Sequence, residues 1–199
     1  MKDWIGNQKS IFMSLGASNH TEKERETNDF YATDSIAIDV LLEKAELSHR
    51  VWECACGEGH LSKRLSELGY EVKSTDLIYR GFGVGGVDFL LCEDLFAGDI
   101  ITNPPYKYAK EFVEHALTLI PDGNKVFMFL KLQFLEGKAR RKLFDKGELK
   151  TLYVSSSRIL CAKNGDFSEM REGGGSAVAY GWYEFEKGYK GDPVIKWIN

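Results

Sequence analysis

Apolar positions along the chain follow two rhythms, a period of two over short runs and a helical period over longer ones, and the two alternate from about residue 35 onward. Ile36, Ile38, Leu41, Leu42, Ala45 and Leu47 form one helical stripe, with Asp34 or Ser35 placed to cap it. Residues 50–55 read as a short buried strand. After the glycines at 57 and 59, residues 60–68 predict a helix with Leu61, Leu65 and Leu68 inward, and residues 70–75 alternate as a second strand ending at Asp76. The glycine-rich stretch 81–86 predicts a loop, 87–91 a third strand, 99–102 a fourth, 107–120 a helix, 121–124 a turn and 125–130 a fifth strand. Beyond these, 137–146 reads as a basic helix, 150–154 as a sixth strand and 176–186 as an aromatic-rich seventh. Strands alternating with helices predict an α/β fold, a single doubly wound and mostly parallel seven-stranded sheet that binds ligands at the carboxyl ends of its strands.

Residues 1–29 are mostly polar and charged with a few apolar anchors, Ile11, Phe12 and Leu15, and are expected to form an arm ahead of a catalytic domain over 30–199. With 199 residues, 43% hydrophobic and 28% charged, the chain has the length and balance of one folded domain. No run approaches the length of a membrane span, and residues 1–6 lack the apolar core of a signal peptide, so a cytoplasmic protein without membrane association is expected. Cys54, Cys56, Cys92 and Cys161 show neither metal-ligand nor disulfide spacing, and His20, His49, His60 and His115 are scattered. Reduced thiols and no metal are expected. The formal net charge of −4 means that any contact with nucleic acid must be local.

The segment 53–60, Glu-Cys-Ala-Cys-Gly-Glu-Gly-His, lies between a strand and a helix, where glycines allow a tight turn and close approach of a ligand to the backbone. Taken alone it leaves a nicotinamide-dependent dehydrogenase open, although Ser62 stands where that loop wants a third glycine or an alanine. Glu53 favours a different ligand: a carboxylate at a strand end suits an ammonium group and repels a pyrophosphate. Asp76 can accept hydrogen bonds from ribose hydroxyls or simply shape a turn. Asp88 and Phe89 could receive an adenine ring, the carboxylate taking its amino group and the phenyl covering a face; Phe89 could equally be a core residue.

Residues 99–106, Asp-Ile-Ile-Thr-Asn-Pro-Pro-Tyr, carry the most specific chemistry. Two successive prolines remove two backbone donors and fix φ twice, which holds a rigid loop at a strand end. An aromatic amino nitrogen is a poor nucleophile because its lone pair is delocalised into the ring. The Asn103 side-chain oxygen and the Pro104 carbonyl can accept its two N–H bonds and direct the lone pair at an activated methyl group. Tyr106 can stack on a base turned out of its helix.

Glu53, Ala55, Cys56, Gly57 and Gly59, then Asp76, then residues 87–89 and finally the Asn103, Pro104, Pro105, Tyr106 loop together resemble the N6-adenine DNA methyltransferases of the Rossmann-like class I S-adenosylmethionine-dependent superfamily. The resemblance covers residues 29–130 in the order used when cofactor motifs precede the catalytic one. It implies S-adenosyl-L-methionine as cofactor, held by Thr33, Glu53, Ala55, Gly57, Gly59, Asp76, Leu77, Asp88 and Phe89, a sheet whose last strand is antiparallel, and double-stranded DNA with a flipped adenine as substrate. Thr33, in the segment 28–34, would contact the methionyl carboxylate; relatives often carry proline where this chain has Asp34. Order and size are similar to solitary enzymes of phages and mobile elements.

The Asn-Pro-Pro-Tyr pattern specifies a planar nitrogen rather than adenine, and it is similar to that of protein-glutamine and guanine-N2 methyltransferases too. An RNA base or a glutamine side chain therefore stays open as substrate, as does a cofactor-binding regulator without catalysis. Residues 137–142 place cations on one segment, and Lys107 and Lys110 follow the catalytic loop; Lys107, Lys138 and Arg141 are candidates for phosphate contact, Arg80 is undecided, and a solvated face is the plain alternative. No separate target-recognition domain is expected, and only 155–175 is long and irregular enough to reach base edges. Recognition should be short, weak or lent by a protein partner.

Overall fold

Asp99–Thr102 is buried along its whole length, with Ile100 and Ile101 both at 0% exposure, as befits a strand covered on both faces. In the computed structural model, which describes residues 31–163, 167 and 178–199, this strand (β4) is flanked by β2 (Arg50–Glu53) and β5 (Lys125–Lys131). With β3 (Glu71–Ser74), β6 (Leu149–Ser155), β8 (Tyr180–Glu186) and β9 (Val194–Ile198) they form a seven-stranded sheet of order β3-β2-β4-β5-β8-β6-β9. Neighbours pair parallel except β8, which runs antiparallel to both β5 and β6. A separate ribbon joins β1 (Tyr31–Thr33) to β7 (Cys161–Lys163), antiparallel, with Thr33 opposite Cys161.

Successive residues of each central strand point to opposite faces, and the sequence places apolar groups at both. Trp52, Ile100, Val126, Met128, Leu130 and Tyr183 enter one core cluster, completed by Phe112, Val113 and Ala116 of α3 (Ala109–Leu119). Val51, Ile101, Phe127, Phe129 and Trp182 enter the other. That face is covered by α1 (Ile36–Leu42) through Ile38 and Leu41 and by α2 (His60–Glu67) through Leu61 and Leu65. Asp34 accepts the Ile36 N–H at 3.2 Å, and the Trp182 indole N–H donates to the Ala37 carbonyl at 2.9 Å, tying α1 to the middle of the sheet.

The expected α/β architecture, doubly wound and mostly parallel with seven strands, is present, with three differences in membership. Residues 87–91 form no strand. The Asp88 carboxylate accepts the Leu90 N–H at 3.0 Å and opens a 3-10 turn, Phe89–Leu91, that turns the Phe89 ring into the core. The seventh strand is instead β9 at the sheet edge, so the antiparallel β8 is not the last strand of the chain. Its apolar run is broken by Lys196 and exposed from Val194 to Trp197, which gives no clean alternation. The basic segment is not one helix: a 3-10 turn, Lys138–Arg140, leads into a single helical turn, α4 (Arg141–Phe144), because Arg140 folds back onto the carbonyls of Phe134, Gln133 and Glu136. The proposed arm 1–29, residues 28–30 of the family-like segment and most of the loop 155–175 from 164 onward lie outside the described residues.

Candidate functional site

Parallel pairing brings the carboxyl ends of β2, β3, β4 and β5 to one side of the sheet, and a cavity of 1260 Å³ opens there. Its walls include Glu53 at the end of β2, Asp76 after β3, the loop from Asn103 to Tyr106 after β4 and Lys131 at the end of β5. Thr33, Ala55, Leu77, Asp88, Phe89 and Lys107 also line it, whereas Gly57, Gly59, Lys138 and Arg141 do not.

Gly57 and Gly59 act on the backbone. Both adopt positive φ, +55° and +80°, and a Cβ on Gly59 would come within 2.1 Å of the Phe82 ring. Asp76 fixes the turn from the other side: one carboxylate oxygen accepts the Gly57 N–H at 2.8 Å and the other accepts the Ile78 N–H at 2.9 Å. The glycine-rich loop folds back along β3, where Val84 donates to Ser74 O at 3.0 Å and accepts the Asp76 N–H at 3.0 Å. Gly83 has φ +66°, and a Cβ there would meet the Ser74 carbonyl at 2.7 Å.

Glu53 is 2% exposed and accepts both the backbone N–H, at 2.8 Å, and the hydroxyl of Ser62 on α2. Ser62 is in turn 2.7 Å from the Ser74 hydroxyl, which joins the ends of β2 and β3. The Glu53 carboxyl is raised to about 8: burial is the largest cause, the two bonds from Ser62 offset it in part, and Asp76 nearby adds a smaller rise. Phe89 lines the cavity but is only 2% exposed. Its ring packs edge-on to Trp52 at 5.3 Å and against Phe112 at 4.9 Å, so it supports the floor while Leu77, 59% exposed, offers apolar surface.

The Asn-Pro-Pro-Tyr loop is held from behind by the ribbon. Asn103 Nδ2 donates to Thr33 Oγ1 at 2.9 Å and reaches Cys161 Sγ at 4.0 Å, and Tyr106 donates its hydroxyl to the same sulfur at 3.8 Å. The Thr33 hydroxyl, which the resemblance assigns to a cofactor carboxylate, is therefore engaged with Asn103. The Tyr106 ring lies 6.0 Å from that of Tyr180, which stacks on Phe129 at 5.4 Å, which meets Trp182 at 5.0 Å. This aromatic row runs from the core to the loop. Burial pushes the Tyr106 phenol well above its ordinary range and the Cys161 thiol up to about 11, so both stay protonated at neutral pH.

Lys131, Cys161 and Tyr180 were not singled out by sequence. Lys131 places its ammonium 4.8 Å from the Tyr106 ring centroid. Its position, a polar residue ending an apolar strand as Asn103 follows β4, is a signal that could have found it; nothing local marks Cys161. Of the proposed phosphate ligands, Lys107 is exposed beside the loop, with its ammonium 5.0 Å from the Tyr108 ring, whereas Arg141 pairs with Asp145 at 2.6 Å.

No protein-family model and no curated protein sequence matches the chain. Solved structures do. A candidate class I S-adenosylmethionine-dependent methyltransferase from Listeria monocytogenes aligns with a TM-score of 0.59 at 12% identity, covering 95% of this chain and 71% of that one. The modification subunit of a candidate type I restriction enzyme from Vibrio vulnificus gives 0.58 at 11% identity over 95% of this chain, which spans 50% of that subunit. A candidate hemolysin from Lactococcus lactis gives 0.57 at 10% identity, covering 81% of this chain and 91% of that one. At such identities these likenesses establish the fold, and proteins of differently described roles share it.

Proposed function

We propose that this chain uses S-adenosyl-L-methionine to methylate the exocyclic N6 amino group of adenine in DNA. The observation that carries the reading is the opening of the Asn103 to Tyr106 loop onto the same cavity as Glu53, Asp76 and Asp88. The donor set suits the cofactor. Glu53 would take the ammonium of the methionyl moiety, Asp76 the ribose hydroxyls and Asp88 the adenine amino group, with Ala55 and Leu77 against the apolar parts. The Asp76 and Asp88 carboxylates in the lining oppose a pyrophosphate and so disfavour the dinucleotide alternative. Bound there, the cofactor supplies a methyl group activated by a positive sulfur.

The chain's own residues then act by position. The Asn103 side-chain oxygen and the Pro104 carbonyl accept the two N–H bonds of the target amine and hold them out of conjugation with the ring, leaving the lone pair exposed. Pro104 and Pro105 keep the two acceptors in register at the end of β4. Tyr106, neutral and braced by Tyr180, offers a ring to the flipped base, and Lys107 and Lys131 stand where backbone phosphates would enter. The likeness to a restriction-modification subunit supports DNA over RNA or protein.

Transfer of a labelled methyl group from the cofactor to DNA, RNA and a glutamine-bearing protein tests the reading. The expected result is label in DNA, recovered as N6-methyladenine, and lost in Asn103→Ala while cofactor binding persists. Label in RNA or protein instead would move the substrate; binding of cofactor with no transfer to any of them would support a regulator.

A further inference from the structure

We infer that Thr33 and Cys161, facing one another across the β1–β7 ribbon, are positioning residues that orient the Asn103 side-chain amide. The inference rests on the proposed methyl-transfer reading for its consequence but not for its geometry. An amide has an oxygen and a nitrogen of nearly equal size, and a loop rigid in its backbone still leaves the choice between them to the surroundings. Only the oxygen can accept an amine N–H. Rotation of the amide by half a turn would present two donors to the amine and abolish the function of the loop.

The ribbon decides the choice. Thr33 and Cys161 are register partners, so their side chains fall on the same side of the ribbon and converge on Asn103 Nδ2, at 2.9 Å and 4.0 Å. The threonine hydroxyl accepts the Asn103 N–H and the sulfur lies against the same nitrogen, so two atoms able to accept face the nitrogen side of the amide. The same sulfur accepts the Tyr106 hydroxyl at 3.8 Å, so one buried thiol braces both ends of the catalytic loop. Thr33 and Cys161 are buried at 3% and 6%, where competing water is excluded and the amide's orientation is set by these partners. Neither residue needs to touch substrate.

The test separates this role from direct cofactor contact. In 15N-labelled protein, the Asn103 side-chain NH2 resonances, identified by their loss in Asn103→Asp, should shift and exchange faster in Thr33→Val and in Cys161→Ala, and return toward wild type in Thr33→Ser and Cys161→Ser. In the transfer assay, Thr33→Val should lower kcat by about 10-fold, with the cofactor Kd and the melting temperature close to wild type and with kcat restored in Thr33→Ser. Unchanged amide resonances in Thr33→Val, or a weakened cofactor Kd with kcat preserved, would overturn the inference and return Thr33 to the cofactor. The resonance arm is read on the protein alone, so a wild-type protein that methylates nothing would remove the functional reading while this arm still decided the geometry.

Discussion

Ser62 turns both its backbone N–H and its hydroxyl toward one carboxylate oxygen of Glu53, a residue with 2% exposure. A helix N-terminus and a hydroxyl thus stand in for the water that burial removes, yet they do not fully offset its loss, and the carboxyl titrates near 8. Its folded value lies above its ordinary one of 4.5. The folded chain therefore binds the proton more tightly than the unfolded chain between those values. Stability from this group is greatest below about 4.5, falls as pH rises toward 8 and is level beyond. Glu53→Gln keeps an oxygen for Ser62 and removes the charge. Its melting temperature should match wild type at pH 4.5 and exceed it at pH 9, measured by thermal unfolding.

The same titration bears on the cofactor. An ammonium group requires the carboxylate form, so cofactor binding at pH 7 should release a proton, read by calorimetry in buffers of different ionisation enthalpy. The Kd should tighten up to about pH 8, and Glu53→Gln should weaken it by about 10- to 100-fold, the worth of a charge-assisted hydrogen bond.

Gly59→Ala should destabilise for two separable reasons. Its φ of +80° disfavours any side chain, and its Cβ would collide with the Phe82 ring at 2.1 Å. A loss of about 2–4 kcal/mol is expected in denaturant unfolding. Adding Phe82→Ala should recover the steric part only, giving a favourable coupling in a double-mutant cycle.

Asp99 sits at the far end of β4 from Asn103 and accepts from Ser48 N at 2.7 Å, Lys125 N at 2.8 Å and Asn124 Nδ2 at 3.0 Å, with 2% exposure. Asp99→Ala strands those donors and should cost about 3 kcal/mol or more. Activity per folded molecule should be unchanged, measured after correcting for the folded fraction.

Lys107 and Lys131 have no carboxylate partner within 4.0 Å among the described residues, unlike Lys110, which pairs with Glu114 at 3.2 Å. Replacing either by alanine should raise KM for DNA and reduce the slope of log KM against log salt by about 1. Lys110→Ala should leave that slope unaltered.

Features encoded by neighbours in the chain were legible: the turn at 57–59, Asp76 just past a strand, the proline pair and the apolar run of β5 all rest on local sequence. The contact of Thr33 with Asn103 was not legible, because the two lie 70 residues apart. Cys161 carried no signal, since a thiol becomes an acceptor for Tyr106 only once β7 lies beside β1. Residues 87–91 misled because apolar burial looks alike in a strand and in a capped 3-10 turn; Asp88, which accepts the Leu90 N–H at 3.0 Å, makes the difference. The edge strand β9 hid for the opposite reason, its four leading residues being exposed.

The order of strands in space departs from their order in synthesis at β3-β2 and again at β8. β8, residues 180–186, fits between β5 and β6, both made earlier. Until it arrives, the hydrogen-bonding edge of β5 stays open beside Phe127 and Phe129, two rings that end fully buried. A chain halted before residue 180 thus offers an apolar strand edge to any other extended segment, including another copy of itself. Carboxy-terminal truncations of this protein belong among insoluble products, and soluble ones should begin to appear only once the Tyr180 to Glu186 strand is included.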